Sequence, residues 1–172
     1  LGIFYYIVIY TLWLKRSSTQ NIVIGGAAGA IPPLVGWAAV TGGLAPLALA
    51  LFVIIFFWTP PHFWALALVR RQEYARAEVP MLPVIAGVPS ATRHILGYTV
   101  LLCALSLLPA VFGWLGVVYL AGATVLGGLF VLFAVRLWRQ PSVRAGWQLY
   151  GYSLIYLALL FVVMVVDHLV LR

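Results

Sequence analysis

Charge is what this sequence has least of. Only 8% of its 172 residues are Asp, Glu, Lys or Arg, and only three of those are acidic. A water-soluble domain carries about a quarter charged residues and is about half apolar. Here the apolar share is 65% and the mean hydropathy is +1.12. That leaves too little polar surface to cover a particle in water. A bilayer removes the difficulty, because lipid solvates an apolar exterior. Cysteine is nearly absent as well. Cys103 stands alone in the run Tyr98–Phe112, which excludes an intrachain disulfide and leaves no partners for a cysteine metal site. Its simplest reading is a small hydrophobe. A signal peptide is also missing. The chain opens at Leu1 inside the run Leu1–Leu14, shorter than the roughly 20 residues a membrane helix needs. The expectation is a chain that starts within a helix, with an N-terminal part of the protein preceding it.

What is present is a set of apolar runs: Leu1–Leu14, Ile22–Val40, Pro46–Val69, Ile95–Phe112, Leu115–Val135 and Trp147–Val170. These predict an all-α, polytopic membrane bundle of about six helices. The break between the fourth and fifth rests on Phe112-Gly113-Trp114. The net charge of +7 is not spread along a solvated face, as a nucleic-acid binder requires. Nine of the ten basic residues fall in alternate connections: Lys15 and Arg16; Arg70, Arg71, Arg76 and Arg93; Arg136, Arg139 and Arg144. The positive-inside rule places those connections in the cytoplasm and argues against a nucleic-acid partner. The long connection from Arg70 to Arg93 holds Glu73 and Glu78, and connections of that length are usually functional. Pro32-Pro33 and Pro60-Pro61 fall inside predicted spans. Two readings stay open for them: packing kinks, or broken helices lining an internal cavity.

The chemistry-bearing residues cluster at the basic end. His62 lies eight residues before Arg70, so about 12 Å inside the helix end. An ionisable group at that depth is a functional candidate. It could equally be a neutral histidine bonded to a carbonyl freed by Pro60 or Pro61. Glu73 among Arg70, Arg71 and Arg76 also reads two ways. Helical spacing allows a plain ion-pair ladder, Arg70–Glu73–Arg76. Alternatively, Glu73 holds a divalent cation while the arginines receive phosphate. Glu78 could add a second metal contact, but helical spacing puts it off the face of Glu73. Tyr10, Lys15, Arg16 and Asn21 close the first span and open the second on the same side. They could add contacts to the same anion, or form a solvated loop with a helix cap. Together these residues suggest a cytoplasm-facing pocket for an anionic substrate with an apolar tail. His94, Asp167 and His168 sit at span ends and are assigned no chemistry.

Pro60-Pro61-His62-Phe63-Trp64-Ala65-Leu66-Ala67-Leu68, then Tyr74-Ala75-Arg76-Ala77 and Val79-Pro80-Met81-Leu82-Pro83-Val84, resemble the haem O synthases. These are the protohaem IX farnesyltransferases, within the intramembrane UbiA-type prenyltransferases. Lys15-Arg16, Asn21–Ala30 and Pro32-Pro33 carry the same resemblance. It implies a nine-helix bundle with two acidic motifs flanking a central cavity, of which this chain is the C-terminal two-thirds. The first acidic motif would lie in the preceding part, so the chain alone is expected to be inactive. The resemblance further implies farnesyl transfer from farnesyl diphosphate to a vinyl group of haem b, with magnesium at the diphosphate. Haem b is then a substrate rather than a prosthetic group, and haem A synthase is a candidate partner. By position, Glu73 falls where the family has Asp in its second motif and is the metal-binding, catalytic carboxylate. Lys15 and Arg16 match diphosphate-binding cations, Tyr10 precedes them, and His62 matches the family's histidine, a haem contact. Ala77 stands where other members of the superfamily carry a further acid, which favours haem over hydroxybenzoate. A quinone-precursor prenyltransferase and a membrane transporter or scaffold are the alternatives. The expected location is the plasma (inner) membrane.

Overall fold

A computed structural model describes residues 21–170, and every regular element in them is a helix. Five are long: α1 (Asn21–Thr41), α2 (Pro46–Val69), α5 (Gly87–Val111), α6 (Val117–Arg139) and α7 (Val143–Val170). Two short ones, α3 (Arg71–Arg76) and α4 (Leu82–Ile85), occupy the connection between α2 and α5. Helices α2, α5, α6 and α7 are each long and apolar enough to cross a membrane. At 21 residues, α1 is about 31 Å long. Each run expected after residue 21 thus falls on one helix; the run Leu1–Leu14 lies outside the described residues. One expectation needs correction. Helix α5 begins at Gly87 rather than Ile95, so Arg93 and His94 lie inside it.

The turns have local causes. Pro46 opens α2, where its missing N–H is no loss. Helix α5 stops at Phe112 because Gly113 takes a left-handed φ of 70°. The Gly113 N–H then donates to Ala110 O at 3.0 Å and the Trp114 N–H to Pro109 O at 2.9 Å. This is the Schellman pattern that ends a helix, and it separates α5 from α6.

Helices α2, α5, α6 and α7 form a closed ring in which each packs on two neighbours, while α1 packs on α2 alone among the described helices. Lipid gives helices no hydrophobic reason to associate, so close backbone approach and buried hydrogen bonds must do it. Glycines stand at the crossings. An added Cβ at Gly26 would come within 3.0 Å of Thr59, at Gly127 within 3.2 Å of the Cys103 sulfur, at Gly122 within 2.7 Å of Val163, and at Gly146 within 2.6 Å of Val69. Those four contacts join α1 to α2, α6 to α5, α6 to α7, and α7 to α2. Cys103 is therefore a packing residue, its thiol also donating to Gly127 O at 3.4 Å.

Buried polar groups complete the bundle. Ser106 Oγ donates to Leu102 O at 2.9 Å, so it accepts from the Tyr156 hydroxyl at 2.8 Å. The Tyr119 hydroxyl donates to Ser106 O at 2.6 Å. One serine on α5 thereby ties α6 and α7, each bond being worth roughly 0.6 kcal/mol in a membrane protein. Asp167, read from sequence as a span-end residue, is instead only 2% exposed. Its carboxylate accepts from Gly116 N at 2.6 Å and Tyr119 N at 2.9 Å. Gly116 is the N-cap of α6. Asp167 therefore satisfies from another helix the two donors that a capping box satisfies locally. Asp167→Ala should strand both donors and lower unfolding free energy by about 2 kcal/mol. Asp167→Asn, which keeps one acceptor, should cost less. Denaturant titration in detergent micelles measures both.

Candidate functional site

All seven described basic residues lie at one end of the bundle. Arg70, Arg71 and Arg76 follow α2, Arg93 is in the second turn of α5, Arg136 and Arg139 end α6, and Arg144 begins α7. Beside the first three of these arginines opens a cleft of about 820 Å³, lined by Arg70, Arg71, Gln72, Glu73 and Arg76, by the end of α2, by Val88 of α5 and by Pro141–Val143 where α7 begins. A smaller recess on the other side of α3 shares Arg70 and Glu73 and adds Tyr74. Arg70 and Glu73 thus form the ridge between two hollows.

Their ion pair is short, with Arg70 Nη1 at 2.6 Å from Glu73 Oε1, and exposed, at 47% and 62% of the side chains. Such a pair is worth about 0.2–1 kcal/mol. An incoming cation or phosphate can therefore separate it at little cost. The ladder allowed by spacing forms only in its first half, since Arg76 makes no ion pair with Glu73. Partial burial and then the Glu73 carboxylate push the Tyr74 hydroxyl above the ordinary phenol range.

Glu78 occupies an unusual position. Its φ is +54°, and it stands just past the C-cap of α3. Glu78 N donates to Ala75 O at 3.2 Å and Val79 N to Tyr74 O at 3.1 Å, again the Schellman pattern, whose left-handed residue is usually glycine. Its main structural consequence is to end α3 and turn the chain towards Val79-Pro80.

His62 lies deeper and belongs to a separate cluster. It is 5% exposed. Its partner is not a carbonyl freed by Pro60 or Pro61 but Ser153 on α7, with Nδ1 2.7 Å from Oγ. Ser153 Oγ donates its own proton to Tyr150 O at 2.6 Å. It must then accept from His62, which fixes the proton on Nδ1 and leaves the Nε2 lone pair free of that bond. The ring stacks on Trp58 at 4.2 Å and on Tyr150 at 4.6 Å. Trp58 Nε1 donates to Ser153 O at 2.8 Å.

His62 lies seven residues inside the end of α2, about 10 Å by helical rise, and Glu73 lies beyond that end on α3, so the two do not form one catalytic pair. A column of contacts joins them instead. Arg70 lies 5.6 Å from the Trp147 ring, Trp147 lies 5.6 Å from Tyr150, and Tyr150 stacks on His62. Trp147, Tyr150 and Ser153 were missed from sequence. The available signal was a polar stripe on an otherwise apolar helix, where Ser153, Tyr156 and Asp167 recur on one buried face. Tyr10, Lys15 and Arg16 lie outside the described residues. Asn21 opens α1, and its side chain is likewise not described.

The donor set bears on the implied metal. Among the described residues no group of three or more His, Cys, Asp or Glu could hold a metal ion. A magnesium ion that keeps its waters and substrate phosphates needs only one or two carboxylates. Glu73 beside three arginines fits that case and not a closed protein cage.

Residues 1–165 match the UbiA prenyltransferase family. The chain belongs to that family. It is 62% identical over 97% of its length to a protein of Roseiflexus castenholzii, of which it covers 31%. It is 57% identical over 99% of its length to one of Chloroflexus aurantiacus, covering 29%. A relative from Methylococcus capsulatus is 53% identical over 95% of the chain, with 55% of the relative covered. All three are named protoheme IX farnesyltransferase. The chain thus spans between about a third and about half of these relatives. No solved structure matches it.

Replacing Glu78 by glycine should relieve the left-handed backbone and stabilise the protein by about 1 kcal/mol. Thermal unfolding of the variant beside the unsubstituted protein, in the same detergent, checks this.

Proposed function

We propose that the complete protein transfers a farnesyl group from farnesyl diphosphate to a vinyl group of haem b, giving haem O. The observation that carries this reading is that the basic cleft, with its single exposed carboxylate, occurs in a chain 53–62% identical to relatives named for that activity.

In this reading the diphosphate enters the cleft and breaks the Arg70–Glu73 pair. Arg70, Arg71 and Arg76 bind phosphate oxygens, as a guanidinium does through paired N–H donors. Glu73 is the protein's carboxylate for magnesium, which when bound neutralises the diphosphate as it leaves. Tyr10, Lys15, Arg16 and Asn21 are proposed to complete the anion's surroundings from the N-terminal side. Departure of diphosphate leaves an allylic cation. The terminal vinyl carbon of haem b attacks it, water adds to the neighbouring carbon, and a proton is released. Fixed positive groups at the leaving oxygens need no rearrangement as charge develops, which is the source of the acceleration.

His62 is assigned to the haem side. Ser153 holds its imidazole in one tautomer and Tyr150 and Trp58 hold its plane, so it presents one orientation to a planar acceptor. By the positive-inside rule the basic end faces the cytoplasm, and the membrane is the plasma or inner membrane. Haem A synthase is a natural consumer of the product.

The direct test uses protein expressed from its complete coding sequence in nanodiscs, with haem b, farnesyl diphosphate and magnesium, and reads the haem mass. A gain of one farnesyl group and one hydroxyl group supports the proposal. Unchanged haem, with both substrates bound to folded protein, overturns it and directs attention to aromatic acids. Glu73→Ala is expected to lower turnover by at least a hundredfold, roughly the effect of losing one electrostatic contact to a transition state. Membrane insertion should be unaffected. Full activity in that variant would remove Glu73 from the mechanism.

A further inference from the structure

The outer face of α5 at the basic end carries a third opening, separate from the two hollows beside Glu73. Arg93, His94, Gly97, Tyr98 and Leu101, with Phe57 from α2, line a groove of about 460 Å³. The α5 residues recur every three to four positions and so share one helix face. From Arg93 to Leu101 the groove follows the helix for about 12 Å.

Its two ends differ chemically. At the end near the arginine-rich face, Arg93 is exposed, and its Nε donates to Pro89 O at 3.2 Å. That bond steadies the stem and leaves the two terminal nitrogens of the fork for another acceptor. Arg70–Glu73 is the only ion pair among the described residues, so no described carboxylate neutralises Arg93. His94 is anchored in the same manner, with Nδ1 donating to Ser90 O at 2.9 Å. Towards the membrane interior the wall is apolar and braced by rings, Tyr98 standing 6.1 Å from Phe57 and 5.2 Å from Trp64. Gly97 leaves the trough unfilled, since a Cβ there would meet nothing within 4 Å.

A cation at headgroup depth above an apolar trough matches a phospholipid. A zwitterionic headgroup brings its own ammonium to the phosphate, whereas an anionic one leaves the phosphate charge for the protein to meet. We propose that this groove binds an anionic phospholipid. Its phosphate sits on Arg93 beside His94, and one acyl chain lies over Gly97 against Phe57, Tyr98 and Leu101. The site does not depend on the reaction proposed above.

The test is native mass spectrometry of the complete protein, exchanged in mild detergent against equal amounts of dioleoyl phosphatidylglycerol and dioleoyl phosphatidylcholine. Phosphatidylglycerol should be retained preferentially. Arg93→Gln should lower that preference by about fivefold, the worth of one basic residue at an anionic lipid surface. Arg139→Gln, which removes an equal charge elsewhere on the same face, should leave it unchanged. Gly97→Leu should lower retention of both lipids. Equal retention of the two lipids by the unsubstituted protein would overturn the proposal, as would equal losses in the Arg93 and Arg139 variants, which indicate unspecific charge attraction. A lipid-free dimer that Gly97→Leu dissociates would assign the face to a second copy and also overturn it. Should Gly97→Leu fail to fold, the comparison of the two surface arginines decides alone.

Discussion

Removal from water makes an unpartnered polar group inside the membrane costly, and although Trp64 Nε1 and Gln148 Oε1 are left without a bond, the packing of α2 against α7 shows how much of this structure follows from that cost. Gly146 lets the two helices approach until Val69 fills the space a side chain would occupy. Ser153 then meets both His62 and Trp58. A serine that would otherwise bond only its own helix becomes the fixed point for an imidazole. The same obligation places Ser106 between Tyr119 and Tyr156, and Asp167 over the start of α6. These contacts make a ring of four helices whose arginine-rich end carries the candidate site.

The site combines two different grades of order. The His62 cluster is buried, stacked and bonded in one arrangement. The Arg70–Glu73 ridge is exposed and held by an ion pair of little net energy. Under the proposed function this division is useful: the planar acceptor meets fixed groups, while the highly charged donor meets groups free to exchange one partner for another. The column Arg70–Trp147–Tyr150–His62 keeps the two parts in register along α7.

Much of the architecture could be read directly from apolar runs and their charged gaps. Phe112-Gly113-Trp114 marked a real break because glycine accepts the left-handed conformation that ends α5. Arg70, Arg71, Glu73 and Arg76 were recognisable because charge is so scarce that its clustering carries information. Hydropathy did not reveal that α5 begins at Gly87, since its first turns hold Ser90, Arg93 and His94 and lower the local average. Nor could it separate Asp167 from a solvated end residue. Its burial comes from the start of α6, about fifty positions earlier, and pairings at that separation leave no local pattern. Ser153 was hidden for the same reason. One of the two readings left open for His62 paired it with a proline-freed carbonyl nearby in sequence, but its partner comes from a different helix.

The central claim is that the basic cleft receives the diphosphate. Hydrogen–deuterium exchange of the complete protein, with and without farnesyl thiodiphosphate and magnesium, tests it most directly. Protection should appear in the segment Arg70–Ala77 and at the start of α7 near Ser142, while the opposite end around Gly113–Tyr119 exchanges as before. Protection confined to other segments, with Arg70–Ala77 unchanged by a saturating analogue, would contradict the account.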